Sequence, residues 1–196
     1  MKCNVYLVIK KLHLGGWRGC VQLLGCSSNW KQGFRRPFVI RLYLLGKMMN
    51  EQDQVEIFES LLQQTVDSLF DKYDGNFDRL DKQEQELVYI WRSEADIYNG
   101  GMLQFLCNWG FSAAETTCDI LEKMKANRSA ALIRQALETV TSEVQRVQKE
   151  GKVLKETWDI PKYLSLESEN FLEDLDEQHW EDPDNLCQKG WQHYLS

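Results

Sequence analysis

Acid is absent from the first 47 residues of this chain, and base is absent from a long stretch near its end. Residues 1–47 hold nine Lys or Arg (Lys2, Lys10, Lys11, Arg18, Lys31, Arg35, Arg36, Arg41, Lys47) and no Asp or Glu. The 26 residues between Lys162 and Lys189 hold nine acids and no Lys or Arg. The overall formal charge of −7 hides this division: residues 48–196 set 14 bases against all 30 acids, a net of −16. Two regions so different were not shaped by one set of constraints.

Other absences narrow the function. The six cysteines form no C-x-x-C pair, and no histidine sits near one at metal-ligand spacing, so neither a zinc site nor a disulfide framework is indicated. Cys107 and Cys118, set among apolar residues, read as small buried hydrophobes in a reducing compartment, and the expected location is cytoplasmic. The longest apolar run of the N-terminal part, Phe38 to Leu45, is eight residues interrupted by Arg41. A membrane helix needs about 20, and no signal-peptide cleavage site follows. There is no phosphate loop, no G-x-S-x-G and no H-E-x-x-H. Asp71 to Asp78 resembles a calcium loop but lacks its alternate ligands and its closing Glu. No metal, no cofactor and no enzymatic activity are expected.

Residues 1–34 show neither helical nor strand periodicity, and composition changes abruptly at Met48, Met49 and Asn50. Three readings fit residues 1–48: a basic arm for nucleic acid or an anionic surface, a divergent subdomain, or an upstream extension with Met48 or Met49 as the true start. The third is favoured. The expected division is therefore 1–48, a basic extension that is non-native or disordered, and 49–196, an acidic domain.

That acidic domain reads as all-α, a single globular unit of about seven helices. Val55, Phe58, Leu62, Val66 and Leu69 recur at three- and four-residue steps. Asp71 to Asp81 reads as a loop. A second helix is expected from about 82 to 98 with Leu87, Ile90, Trp91 and Ala95 near one face, stopped by Asn99-Gly100-Gly101. A short apolar helix follows over 102–109, then one over 113–125. The next, after Asn127, turns Ala131, Ile133, Leu137, Val140, Val144 and Val147 inward. Trp158 to Tyr163 reads as an ordered crossing. A helix over 168–179 and a final one opened by Pro183 complete the domain.

The nine acids of the base-free stretch are Glu167, Glu169, Glu173, Asp174, Asp176, Glu177, Glu181, Asp182 and Asp184. On a helix, Glu169, Glu173 and Asp176 or Glu177 stand one turn apart, and an unneutralised acidic face can resemble a row of phosphates. An acidic run can also serve only to solubilise a surface. A resemblance adds to this. Tyr98-Asn99-Gly100-Gly101-Met102-Leu103-Gln104-Phe105-Leu106-Cys107-Asn108-Trp109-Gly110 resembles the hallmark of the bacterial DNA-mimic-protein family, approximately Y-N-G-G-x-x-Q-[FY]-x-x-N-x-G. The acidic segment from Phe171 to Glu177 resembles that family's C-terminal end, and the likeness covers about residues 50–196. It implies an acidic helical protein that binds a basic, DNA-binding protein by presenting carboxylates in place of phosphates, often self-associating as a homodimer. It implies no direct nucleic-acid binding by residues 49–196. The alternative is a helical interaction or immunity-type module without mimicry. Within the hallmark, Gly100 and Gly101 are expected to form the turn, with Gln104 and Asn108 tying backbone groups nearby.

Overall fold

Asn50 is the first residue that the computed structural model describes, the described residues being 50–196; the expected extension over 1–48 lies outside them. The Asn50 side chain accepts the Asp53 N–H at 2.8 Å, and the Asp53 carboxylate accepts the Asn50 N–H at 3.2 Å. This reciprocal cap satisfies donors that a helix start would otherwise leave orphaned. It opens α1, Glu51–Asp67, whose buried side is Phe58, Leu62, Thr65 and Val66. The expected loop that follows is partly helical: a π-helical turn at Ser68–Lys72 and a 3-10 turn at Phe77–Arg79. Asp81 and Glu84 repeat the reciprocal cap and open α2, Lys82–Trp109. Next come α3 (Phe111–Lys123), α4 (Asn127–Lys149), a 3-10 segment (Thr157–Tyr163), α5 (Leu166–Trp180) and α6 (Leu186–Tyr194).

Among the described residues there is no strand, and the fold is all-α. Gly100 (φ −160°, ψ 20°) and Gly101 (φ 83°, ψ 177°) bend α2 into two arms, 82–99 and 102–109. With both arms counted, the described residues form seven helical rods. α2, α3 and α4 pack in succession, α6 returns to α1, and α5 lies against both α2 and α4. The core between them gathers Phe58, Leu87, Ile90, Ile97, Met102, Phe105 and Ile133, closed by Leu172 and Leu175 of α5. α6 rides close on α1: a Cβ on Gly190 would fall 2.2 Å from the Phe58 ring.

Two local expectations need correction. Pro183 does not open the last helix. It sits in a turn closed by the Asn185 N–H on the Asp182 carbonyl at 3.1 Å, and α6 starts only at Leu186. Ala131 faces solvent, while Ala130 and Leu132 face the core. Beside the inward stripe of α4, Glu143 is also buried, at 8% exposed.

Candidate functional site

The acidic helix α5 is anchored at each of its turns. At its start, Ser165 Oγ accepts the Ser168 N–H at 3.2 Å. Glu143 of α4 then takes both hydroxyls on one oxygen, Ser165 at 2.5 Å and Ser168 at 2.6 Å, and Arg146 Nε at 2.8 Å on the other. Burial pushes the Glu143 carboxyl up, but the hydrogen bonds from Ser165, Ser168 and Arg146 outweigh it and hold the pKa at about 2. In the middle, Leu172 and Leu175 are buried. At the far end the Trp180 indole N–H donates to the Ile97 carbonyl at 3.1 Å, and His179 Nε2 lies 3.0 Å from Glu94 Oε1. The His179 ring is 2% exposed, with the Tyr98 ring edge-on at 6.0 Å. Burial opposes its charge, but Glu94, aided by Asp182 and Asp176, prevails and raises its pKa. Tyr98 is shifted upward by burial first, with Glu94 and Asp182 reinforcing it.

The nine acids divide into two groups. Glu167, Glu169, Glu173, Asp174, Glu177 and Glu181 are exposed. Asp176, Asp182 and Asp184 instead serve three helix starts. Asp176 accepts the Met102 N–H at 2.7 Å, beginning the 102–109 arm of α2. Asp182 accepts the Leu186 N–H at 2.8 Å, beginning α6. Asp184, 9% exposed, accepts the Ser129 N–H at 2.7 Å and its hydroxyl at 3.1 Å, in the first turn of α4. Each carboxylate meets the positive end of a helix dipole. Burial pushes Asp176 and Asp182 up, and the helix N–H each receives works against that. These three are the internal scaffold of the acidic run, and the surface charge belongs to the other six.

The hallmark residues gather at the bend. A Cβ on Gly101 would lie 2.1 Å from Asp176 Oδ2, so both its positive φ and its closeness to this carboxylate require glycine. Gln104 and Asn108 do not tie backbone groups as expected. Both donate to the Asp96 carboxylate, at 2.8 and 2.9 Å, and the Trp109 indole joins them at 2.6 Å. The Gln104 carbonyl oxygen in turn accepts from Asn99 at 3.2 Å. A carboxylate has about four lone-pair sites and suits several side-chain donors better than a single carbonyl does. Asp96, Glu94 and Glu143 were not among the sequence candidates. Asp96 lies one turn before Gly100, and its spacing of 8 and 12 residues from Gln104 and Asn108 is readable only once the bend is known.

Chemically, the arrangement offers an array of carboxylates on a helix held from within by hydrogen bonds and buried leucines. Among the described residues, no group of three or more His, Cys, Asp or Glu is placed to hold a metal ion, and no helix is long and apolar enough to cross a membrane. No curated protein and no solved structure gives a match to this chain. The family model described as DMP19-like protein matches residues 78–195, from the 3-10 turn before α2 to the end of α6. That span takes in the glycine bend, the Asp96 cluster and the acidic helix, and it is more than half of the chain: this protein belongs to the DMP19-like protein family.

Proposed function

We propose that the protein binds a basic, DNA-binding protein, with the outer face of α5 standing where DNA phosphates would. The observation that carries this reading is the six exposed acids, five on α5 and Glu181 at its C-cap, on a helix whose inner side is fixed at every turn. From Glu167 to Glu181 the helix advances about 21 Å, one charge per about 4 Å of axis. One DNA strand carries a charge about every 3.4 Å. The match is in linear charge density, and the anchoring means that little ordering is left to do on binding. The reading involves no catalytic step. Such a protein works in the cytoplasm, where its partner meets DNA, and self-association as a homodimer belongs to the same reading.

The test is capture of the partner from the native cell by the full chain, at low and high salt, with parent and an E169Q/E173Q/E177Q variant. Gln keeps size and helix propensity nearly constant while removing three charges. The captured protein should bind DNA, should be released by duplex DNA or raised salt, and should be lost by the variant. Equal capture by parent and variant at both salts would rule out α5 as the mimic surface.

A second reading, an interaction module without mimicry, has one observation in its favour: Phe171 and Trp180 stand 39% and 47% exposed among these acids. In that case Trp180→Ala abolishes capture and duplex DNA does not compete.

A further inference from the structure

Arg92, on the 82–99 arm of α2, takes no part in the acidic helix. Its guanidinium carbon lies 4.0 Å from the centre of the Trp109 ring, 4.9 Å from that of Phe77 and 5.9 Å from that of Tyr89. Arg134 and Arg146 pair with carboxylates, but among the described residues no acceptor takes a guanidinium N–H of Arg92. Burial draws its pKa down, as expected for a cation held partly out of water with only ring faces to offset it. Asp96, one turn along the same arm, accepts from Gln104, Asn108 and Trp109 and not from Arg92.

Arg92 is thus held in place while its donor edge stays free. The Trp109 ring is locked by its indole N–H on Asp96, and that bond enriches the ring's electrons and strengthens its pull on the guanidinium. Arg92, Phe77, Tyr89 and Trp109 are each half-buried, so the seat opens to the surface. A guanidinium packed on ring faces leaves its coplanar N–H groups for other acceptors, and such a planar fork can meet two oxygens of one acid group. We infer that Arg92 is an oxyanion seat, taking a carboxylate or phosphate edge-on through paired N–H donors, with Phe77 and Trp109 as its walls. The −16 charge of residues 48–196 opposes a polyanion, so the seat suits a single acid group and not a nucleic-acid strand.

The seat does not depend on the role proposed for α5, and the two are tested apart. The isotope-labelled full chain is titrated with sodium phosphate, sodium acetate and sodium chloride at matched ionic strength, following the Arg92 Nε–H and Trp109 Nε1–H signals by NMR. A saturable shift is expected with phosphate or acetate and not with chloride. Tighter phosphate binding points to a phosphate-bearing ligand; acetate binding as tight or tighter points to a carboxylate. Arg92→Gln should abolish saturation, and Arg92→Lys, which keeps the charge but loses the fork, should weaken it about tenfold. The E169Q/E173Q/E177Q variant should bind like the parent. Linear shifts common to all three salts overturn the seat, as does saturation unchanged in Arg92→Gln. Parental affinity in Arg92→Lys does the same, and that variant keeps the test decisive if the Gln variant does not fold.

Discussion

Replacing Gly101 by Ala probes the bend and the acidic helix together. The backbone there (φ 83°, ψ 177°) lies in a region that is essentially glycine's alone, so any side chain costs about 1–3 kcal/mol. The new Cβ would sit 2.1 Å from Asp176 Oδ2 and 2.8 Å from its Cγ, so the carboxylate must swing away and release the Met102 N–H. Loss of such a cap costs about 0.5–2 kcal/mol. The expected total is about 2–4 kcal/mol, which in a chain of this size lowers Tm by roughly 5–15 °C. Urea unfolding of Gly101→Ala, Asp176→Ala and the double variant, extrapolated to water, measures each part. Asp176→Ala removes both the cap and the obstacle, so the double variant should cost about 1 kcal/mol less than the sum of the singles. A neutral Gly101→Ala, or strict additivity, would refute the coupling between the bend and α5.

Three further predictions concern Glu143, His179 and Asp184. The Glu143 pKa, held at about 2 against an ordinary 4.5, gives a stabilisation that is full above about pH 4.5 and lost as pH falls toward 2. Glu143→Gln should cost on the order of 3 kcal/mol at neutral pH and flatten the acid limb of stability against pH, read from urea midpoints. His179, whose pKa is raised on folding, stabilises fully below about pH 6.5 and loses that contribution as pH rises through its folded value, so His179→Gln should flatten the curve above about pH 6.5. Asp184→Ala leaves the buried Ser129 N–H without an acceptor and should cost about 1–3 kcal/mol, with hydrogen exchange faster in the first turn of α4 than elsewhere.

The helices and the glycine bend could be read from the chain because each rests on residues within a turn or two of one another. The Phe58, Leu62, Val66 stripe and the Gly100-Gly101 pair are of this kind. The roles inside the acidic run could not, because composition does not say which carboxylate turns inward. A signal was nevertheless present. α4 and α6 begin without a capping side chain of their own, and the 102–109 arm follows a glycine that has none to give. Orphaned N–H groups must find acceptors somewhere, and the acidic run is the largest surplus of acceptors in the chain. Glu143 was missed for a different reason: a heptad-like stripe suggests apolar residues, and the serines that satisfy this carboxylate come from another helix.

The caps supplied by Asp176 and Asp184 also bear on how the chain is made. Met102 waits for a residue 74 positions later, and Ser129 for one 55 positions later. At about 5–20 residues per second, a growing chain spends roughly 4–15 s between emitting Met102 and emitting Asp176. Through that interval the second arm of α2 has a start that nothing closes, and the first turn of α4 waits in the same way. The acidic run therefore completes two helix starts that were made long before it. A ribosome-bound chain halted before Asp176 should leave the 102–109 arm open to proteases that cannot cut it in the finished protein.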